Sequence, residues 1–166
     1  MKTYGTLPYP LSRIRPVLLD IPGMDKWDKT FKRHEVIQSY PEENGMQKEY
    51  NYMYIKMPVF MTDRDLVQEA RIWKEYNGNP MNFLKVNKST TNSKHPAQDK
   101  PIRADMIIGG MYLKEINPNQ TLIYLINNFD LKITTGKDIV DSKAPERAKD
   151  FVKNLVKYIE NQKQKI

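Results

Sequence analysis

Between residues 31 and 131, apolar and polar side chains alternate in short runs closed by turn-forming residues. That rhythm predicts strands. Arg33 to Tyr40 is one, ended by Pro41-Glu42-Glu43-Asn44-Gly45. Lys48 to Met57 is the next, with Tyr50, Tyr52 and Tyr54 on one face and Met53, Ile55 and Met57 on the other. The tyrosine face either lines the interior or points outward. Further strands are predicted over Leu66 to Tyr76, Met81 to Thr90, Ile102 to Ile116 and Gln120 to Leu131. Gly109-Gly110 predicts a bulge or bend inside the long strand. Met57 to Asp63 is a loop with an apolar tip, Pro58-Val59-Phe60-Met61, and residues 91–101 form a polar loop.

The rhythm differs at both ends. Residues 2–7 suit a short strand. Leu11, Ile14, Val17 and Leu18 then recur at helical spacing, with Pro16 and Pro22 limiting them to short helical pieces. Near the C-terminus, Ala144, Ala148, Phe151, Val152, Leu155 and Ile159 form an apolar stripe on a long helix, and Lys149, Lys153 and Lys157 mark another face. Pro145 either starts this helix or kinks a longer one beginning near Lys137. The order is strand, short helices, six antiparallel strands, long helix. This is an α+β chain whose helix stripe must bury itself on the concave side of the sheet. With short helices closing one end, such a grip encloses a cavity suited to an apolar ligand.

Composition narrows the chemistry. The 166 residues match one domain, and no apolar run is long enough for a transmembrane helix. There is no cysteine and only His34 and His95, which argues against a metal centre or a thiol nucleophile. Neither histidine has a partner at a telling distance, so both are expected at the surface or in turns. The net charge of +7 is local: residues 131–166 carry nine basic and five acidic side chains. The charge favours anionic partners or simple solubility. The basic residues are not interleaved with aromatics on a reading surface, so nucleic acid is not an expected partner.

Several segments, in order, resemble the START family, the steroidogenic-acute-regulatory-related lipid-transfer domains, over roughly residues 10–162. They are Met24-Asp25-Lys26-Trp27-Asp28-Lys29, Pro58 with Arg64-Asp65-Leu66-Val67, Arg71-Ile72-Trp73, Ile102-Arg103-Ala104-Asp105 and Asp130-Leu131-Lys132. The chain departs from the family at Ile133 and Gly136, where it has Gly and Pro. The family's N-terminal helix and first two strands have no counterpart before residue 10. The resemblance thus implies a single START-like domain over residues 1–166 lacking those elements, with a helix-grip fold: a curved antiparallel sheet wrapped around a long C-terminal helix.

The resemblance also implies a non-catalytic binder or carrier of lipid, a phospholipid or sterol, without a cofactor. Its lid would be the loop before Arg64 together with the last helix. Val59, Phe60 and Met61 are the candidate lid residues; Phe60 and Met61 either pack beneath the helix or touch a membrane. Leu66, Gln68, Ala70, Phe151 and Leu155 are the candidate cavity residues. Gln68 is the only polar group on the Leu66 face of its strand. Lys149, Lys153 and Lys157 would meet an anionic membrane surface. Arg64-Asp65 and Arg103 with Asp105 are expected as ion pairs at strand ends, and Trp27 in the core. An uncovered sheet edge also fits a protein partner, and a structural subunit of a larger assembly is the alternative function. No nucleophile–base pair, metal-ligand set or phosphate-binding glycine loop is evident, so no enzyme activity is expected. A cytoplasmic or peripheral-membrane location follows from the lipid reading. Arg13 and Arg15 before the first acid, Asp20, permit a mitochondrial address, although Pro8, Pro10 and Pro16 disfavour an amphipathic presequence.

Overall fold

The alternating runs pair into one sheet. The computed structural model describes residues 2–134 and 137–163. Its strands are β1 (Lys2–Leu7), β2 (Phe31–Ser39), β3 (Gln47–Ile55), β4 (Arg64–Trp73), β5 (Asn82–Ser89), β6 (Ile102–Arg103), β7 (Asp105–Asn117) and β8 (Gln120–Asp130). The order across the sheet is β1-β8-β7-β5-β4-β3-β2, with all neighbours antiparallel. The two-residue β6 lies parallel to the start of β4. Helix α1 (Leu11–Leu19) follows β1, and helix α2 (Lys137–Lys163) ends the chain. This is the α+β helix-grip architecture.

One predicted strand divides, and one open alternative is decided. The predicted strand from Ile102 to Ile116 divides at Ala104, where the chain leaves β4 and begins pairing with β8. The irregularity expected near Gly109-Gly110 is a register shift between Met106 and Ile108. Gly109 lies beside it because an added Cβ would stand 2.5 Å from the Met106 sulfur. The predicted helix beginning near Lys137 contains Pro145 rather than starting at it. Pro16 likewise lies inside α1. The side chain of Ala144 and residue Gly136 fall outside the described residues.

The core divides into two apolar clusters. One gathers Leu11, Ile14, Val17 and Leu18 of α1, Leu155 and Ile159 of α2, and Phe83, Leu113 and Ile123 of the sheet. Trp27 is buried here, its ring edge-on to Phe151 at 5.2 Å. Pro10 offers α1 no side-chain cap, and the Glu115 carboxylate instead accepts the Leu11 N–H at 2.7 Å. Arg13 donates to the carbonyl of Ile159 at 3.2 Å, joining α1 to α2. The second cluster is Met53, Ile55, Met57, Leu66, Ala104 and Met106, with Phe31, Met61, Phe129, Leu131 and Ile133 packed around it.

The outer face carries a row of large rings. Tyr4, Tyr124, Tyr112, Leu84 and Trp73 stand directly opposite one another across β1, β8, β7, β5 and β4. Tyr4 to Tyr124 and Tyr124 to Tyr112 are each 6.2 Å between ring centroids. Tyr76 bridges Tyr112 and Trp73 at 6.1 and 6.3 Å. Such cross-strand aromatic contacts stabilise a sheet from outside its core.

Candidate functional site

The register places polar side chains on the inner face between the two apolar clusters. One cross-strand row reads Val36, Asn51, Gln68, Ser89; the next reads Glu49, Ala70, Asn87, Gly109. Lys85, two residues before Asn87, shares that face. His34 lies on the other side of the band, opposite Met53. In β5 the apolar Leu84 and Val86 therefore face outward, and the charged Lys85 faces in. In β3 the tyrosines face outward, and Glu49 and Asn51 face in. Both strands reverse the usual polarity of a sheet that covers a core.

These groups are buried. Asn51, Gln68, His34 and Lys85 each expose less than a tenth of their surface. Among the described residues, seven buried side-chain atoms have no hydrogen-bond partner: both His34 ring nitrogens, Glu49 Oε2, Asn51 Nδ2 and Oδ1, Gln68 Oε1 and Asn87 Oδ1. The Gln68 Nε2 reaches only the Met53 sulfur, at 2.9 Å, and thioether sulfur is a weak acceptor. Burial, aided by repulsion from Lys85, lowers the pKa of His34 to about 3. Burial also lowers that of Lys85 to about 8, against the opposing pull of Glu49. His34 is thus a neutral imidazole at neutral pH. Leaving a buried polar group unpaired costs about 1–3 kcal/mol, so a fold rarely keeps several together without a use for them.

The methionine-rich cluster is bordered by two loops, 56–63 before β4 and 131–134 after β8. Asp63 ties the base of the first: its carboxylate accepts the Met57 N–H at 2.9 Å and the Tyr54 hydroxyl at 3.0 Å. The Met57 N–H is the main cause that holds the Asp63 pKa below its usual value. The buried Arg64 guanidinium donates to the carbonyls of Thr62, Leu131 and Lys132, and so links both loops. Met61 packs inward, whereas Val59 is fully exposed and Phe60 is 68% exposed.

The predicted residues take distinct places. Leu66, Gln68 and Ala70 are buried on the inner face of β4. Leu155 is fully buried in the cluster of α1, and Phe151 is half-buried against Trp27. Lys149, Lys153 and Lys157 are exposed along α2. The expected ion pairs have different partners. Arg103 clasps Asp65 at 2.8 and 3.0 Å, and Asp105 meets Lys132 at 2.8 Å. The break at Ala104 separates Arg103 and Asp105 into different strands, and Arg64 serves carbonyls instead of a carboxylate.

The expectation for His34 is corrected, whereas His95 lies in a turn of the 91–101 loop as expected but has partners that the sequence did not show. His34 is buried on the inner face, and His95 stacks on Tyr52 at 4.3 Å with its Nε2 2.6 Å from the Glu35 carboxylate. Sequence reasoning missed Glu49, Asn51, Lys85 and Asn87. Their signal was the coincidence of polar residues on one strand face with large apolar ones on the other. Alternation assigns the apolar face to the interior, and here that assignment fails.

Comparison with known folds matches this architecture. In a crystal structure of human STARD10, a superposition covering 98% of this chain gives a TM-score of 0.82 at 21% identity. In human StAR-related lipid transfer protein 5 the values are 96%, 0.78 and 19%. The chain spans 65% of the first and 74% of the second. The Zhui aromatase/cyclase from Streptomyces sp. R1128 shares the fold at a TM-score of 0.64 and 11% identity, with 98% of this chain and 93% of that one covered. No curated protein sequence matches the chain. The START domain family model matches residues 1–165, and the chain therefore belongs to the START domain family.

Proposed function

We propose that the chain is a non-catalytic lipid-binding or lipid-transfer domain that encloses an amphiphile between the sheet and α2. The observation that carries this reading is the inner face itself: a band of buried, unpaired polar groups set between two apolar clusters. An amphiphile meets both demands, since hydrocarbon prefers apolar side chains to water and a headgroup supplies hydrogen bonds. Burial of an acyl chain contributes about 0.8 kcal/mol per methylene, which gives affinity without any bond-making step. The names of two structural neighbours, both human START proteins, fit the reading.

Exchange with a membrane would use the loop over 56–63. Val59 and Phe60 project from a base fixed by Asp63 and Arg64, with Lys32 and Lys56 near enough to act on the Asp63 charge. An exposed apolar tip beside lysines suits insertion into an anionic surface, and the Lys149, Lys153 and Lys157 face of α2 adds attraction.

The test is extraction of lipid from purified protein, followed by transfer between donor and acceptor vesicles containing phosphatidylserine. The wild type is expected to carry lipid and to speed transfer. The double substitution Val59→Asp and Phe60→Asp should slow transfer about tenfold or more at unchanged thermal stability, because each side chain loses about 2 kcal/mol of apolar burial in the bilayer. Protein that carries no lipid and accelerates no transfer would refute the function.

A further inference from the structure

We infer that the interior selects an uncharged headgroup rich in hydroxyl or amide hydrogens, seated on Asn51, Gln68 and Asn87 beside Glu49. The inference rests on the lipid-binding reading and adds the class of ligand. It stands on the identity of the unpaired atoms. Four are acceptors: Asn51 Oδ1, Gln68 Oε1, Asn87 Oδ1 and Glu49 Oε2. Acceptors require donors, and hydroxyl or amide hydrogens are what a neutral lipid headgroup supplies. Asn51 Nδ2 is an unpaired donor in the same row and suits a hydroxyl or carbonyl oxygen of that headgroup.

The charges in the band disfavour the other common headgroups. Lys85 is opposed by Glu49, so the band is close to neutral. A phosphate needs clustered cations, above all the two-pronged grip of arginine. Arg64 already serves three backbone carbonyls, and Arg103 holds Asp65 on the outer face. A quaternary ammonium has no hydrogen to donate and is bound by aromatic faces. Tyr50 and Tyr52, which flank Asn51, point away from the band because they alternate with Glu49, Asn51 and Met53 along β3. Phe31, 5.3 Å from His34, and Phe83 face inward but stand on β2 and β5, with β3 and β4 between them, and so do not form a cage together.

Four single-chain lipids with one and the same acyl chain distinguish the possibilities: a monoacylglycerol, an N-acylethanolamine, a lysophosphatidic acid and a lysophosphatidylcholine. Each is titrated against a fluorescent fatty-alkyl probe bound to the purified full chain. The monoacylglycerol and the N-acylethanolamine are expected to displace the probe about tenfold more tightly than the two phospholipids, the effect of one to two hydrogen bonds. Asn51→Leu and Gln68→Leu should erase that preference, bringing the four lipids to within about twofold of one another. Asn87→Leu offers a second route should either variant fail to fold.

Equal displacement by all four, as expected if the band serves only bound water, would overturn the inference and leave lipid binding standing. A phospholipid preference would overturn it in the same way. Failure of the alkyl probe itself to bind would overturn both the inference and the function on which it rests.

Discussion

Lowering the pH from 7 to 5 should weaken the fold through one residue, His34. In the unfolded chain its imidazole titrates near 6.5, and in the folded protein burial and Lys85 hold it neutral down to about 3. A group whose folded pKa lies lower favours the folded state at high pH, and that stability is lost as pH falls through the unfolded value. Below pH 6.5 the unfolded chain takes up a proton that the folded chain refuses. The linkage relation gives a loss of about 2 kcal/mol between pH 7 and pH 5, growing to about 4 kcal/mol at pH 3. For a domain of this size the pH 5 loss lowers the melting temperature by about 4–8 °C. The assay is urea unfolding of the wild type and of His34→Gln at pH 7 and pH 5. Glutamine does not titrate, so its acid loss should be smaller by about 2 kcal/mol. Other acid-sensitive groups, including the buried Asp28 whose carboxyl pKa burial raises, contribute equally to both proteins. Parallel losses in the two proteins would refute the assignment of His34 as a buried neutral imidazole.

Two further outcomes follow from the packing. Arg64→Leu removes the donors to Thr62, Leu131 and Lys132, so the fold should lose about 3 kcal/mol; hydrogen exchange should rise in both loops, and unchanged exchange there would exclude the linking role. Gly109→Ala should destabilise by about 1–2 kcal/mol in thermal unfolding, because the new methyl meets the Met106 sulfur. Adding Met106→Ala should make the two effects non-additive, and simple additivity would place the collision elsewhere.

The fold was largely legible because local signals agreed with each other. Pro41 to Gly45 ends β2, and the Leu155 and Ile159 stripe finds its buried place. The loop tip at Val59 and Phe60 was visible too, as apolar residues with no strand to join. The polar half of the interior was not, because periodicity ranks faces by hydropathy alone. In β5 that criterion prefers Leu84 and Val86 over Lys85 and Asn87, and only the neighbouring strands decide otherwise. The partner of Arg103 was hidden for a related reason. The Asp65 that it clasps is 38 residues away in sequence, brought close by the parallel contact of β6 with β4.

The row of rings from Tyr4 through Tyr124 and Tyr112 to Tyr76 and Trp73 links β1, β8, β7 and β4 on the weather side of the wall. That brace lies on the face opposite the polar lining. Such a construction lets Gln68, on the far side of a braced strand, be exchanged for other furnishings with the masonry left in place.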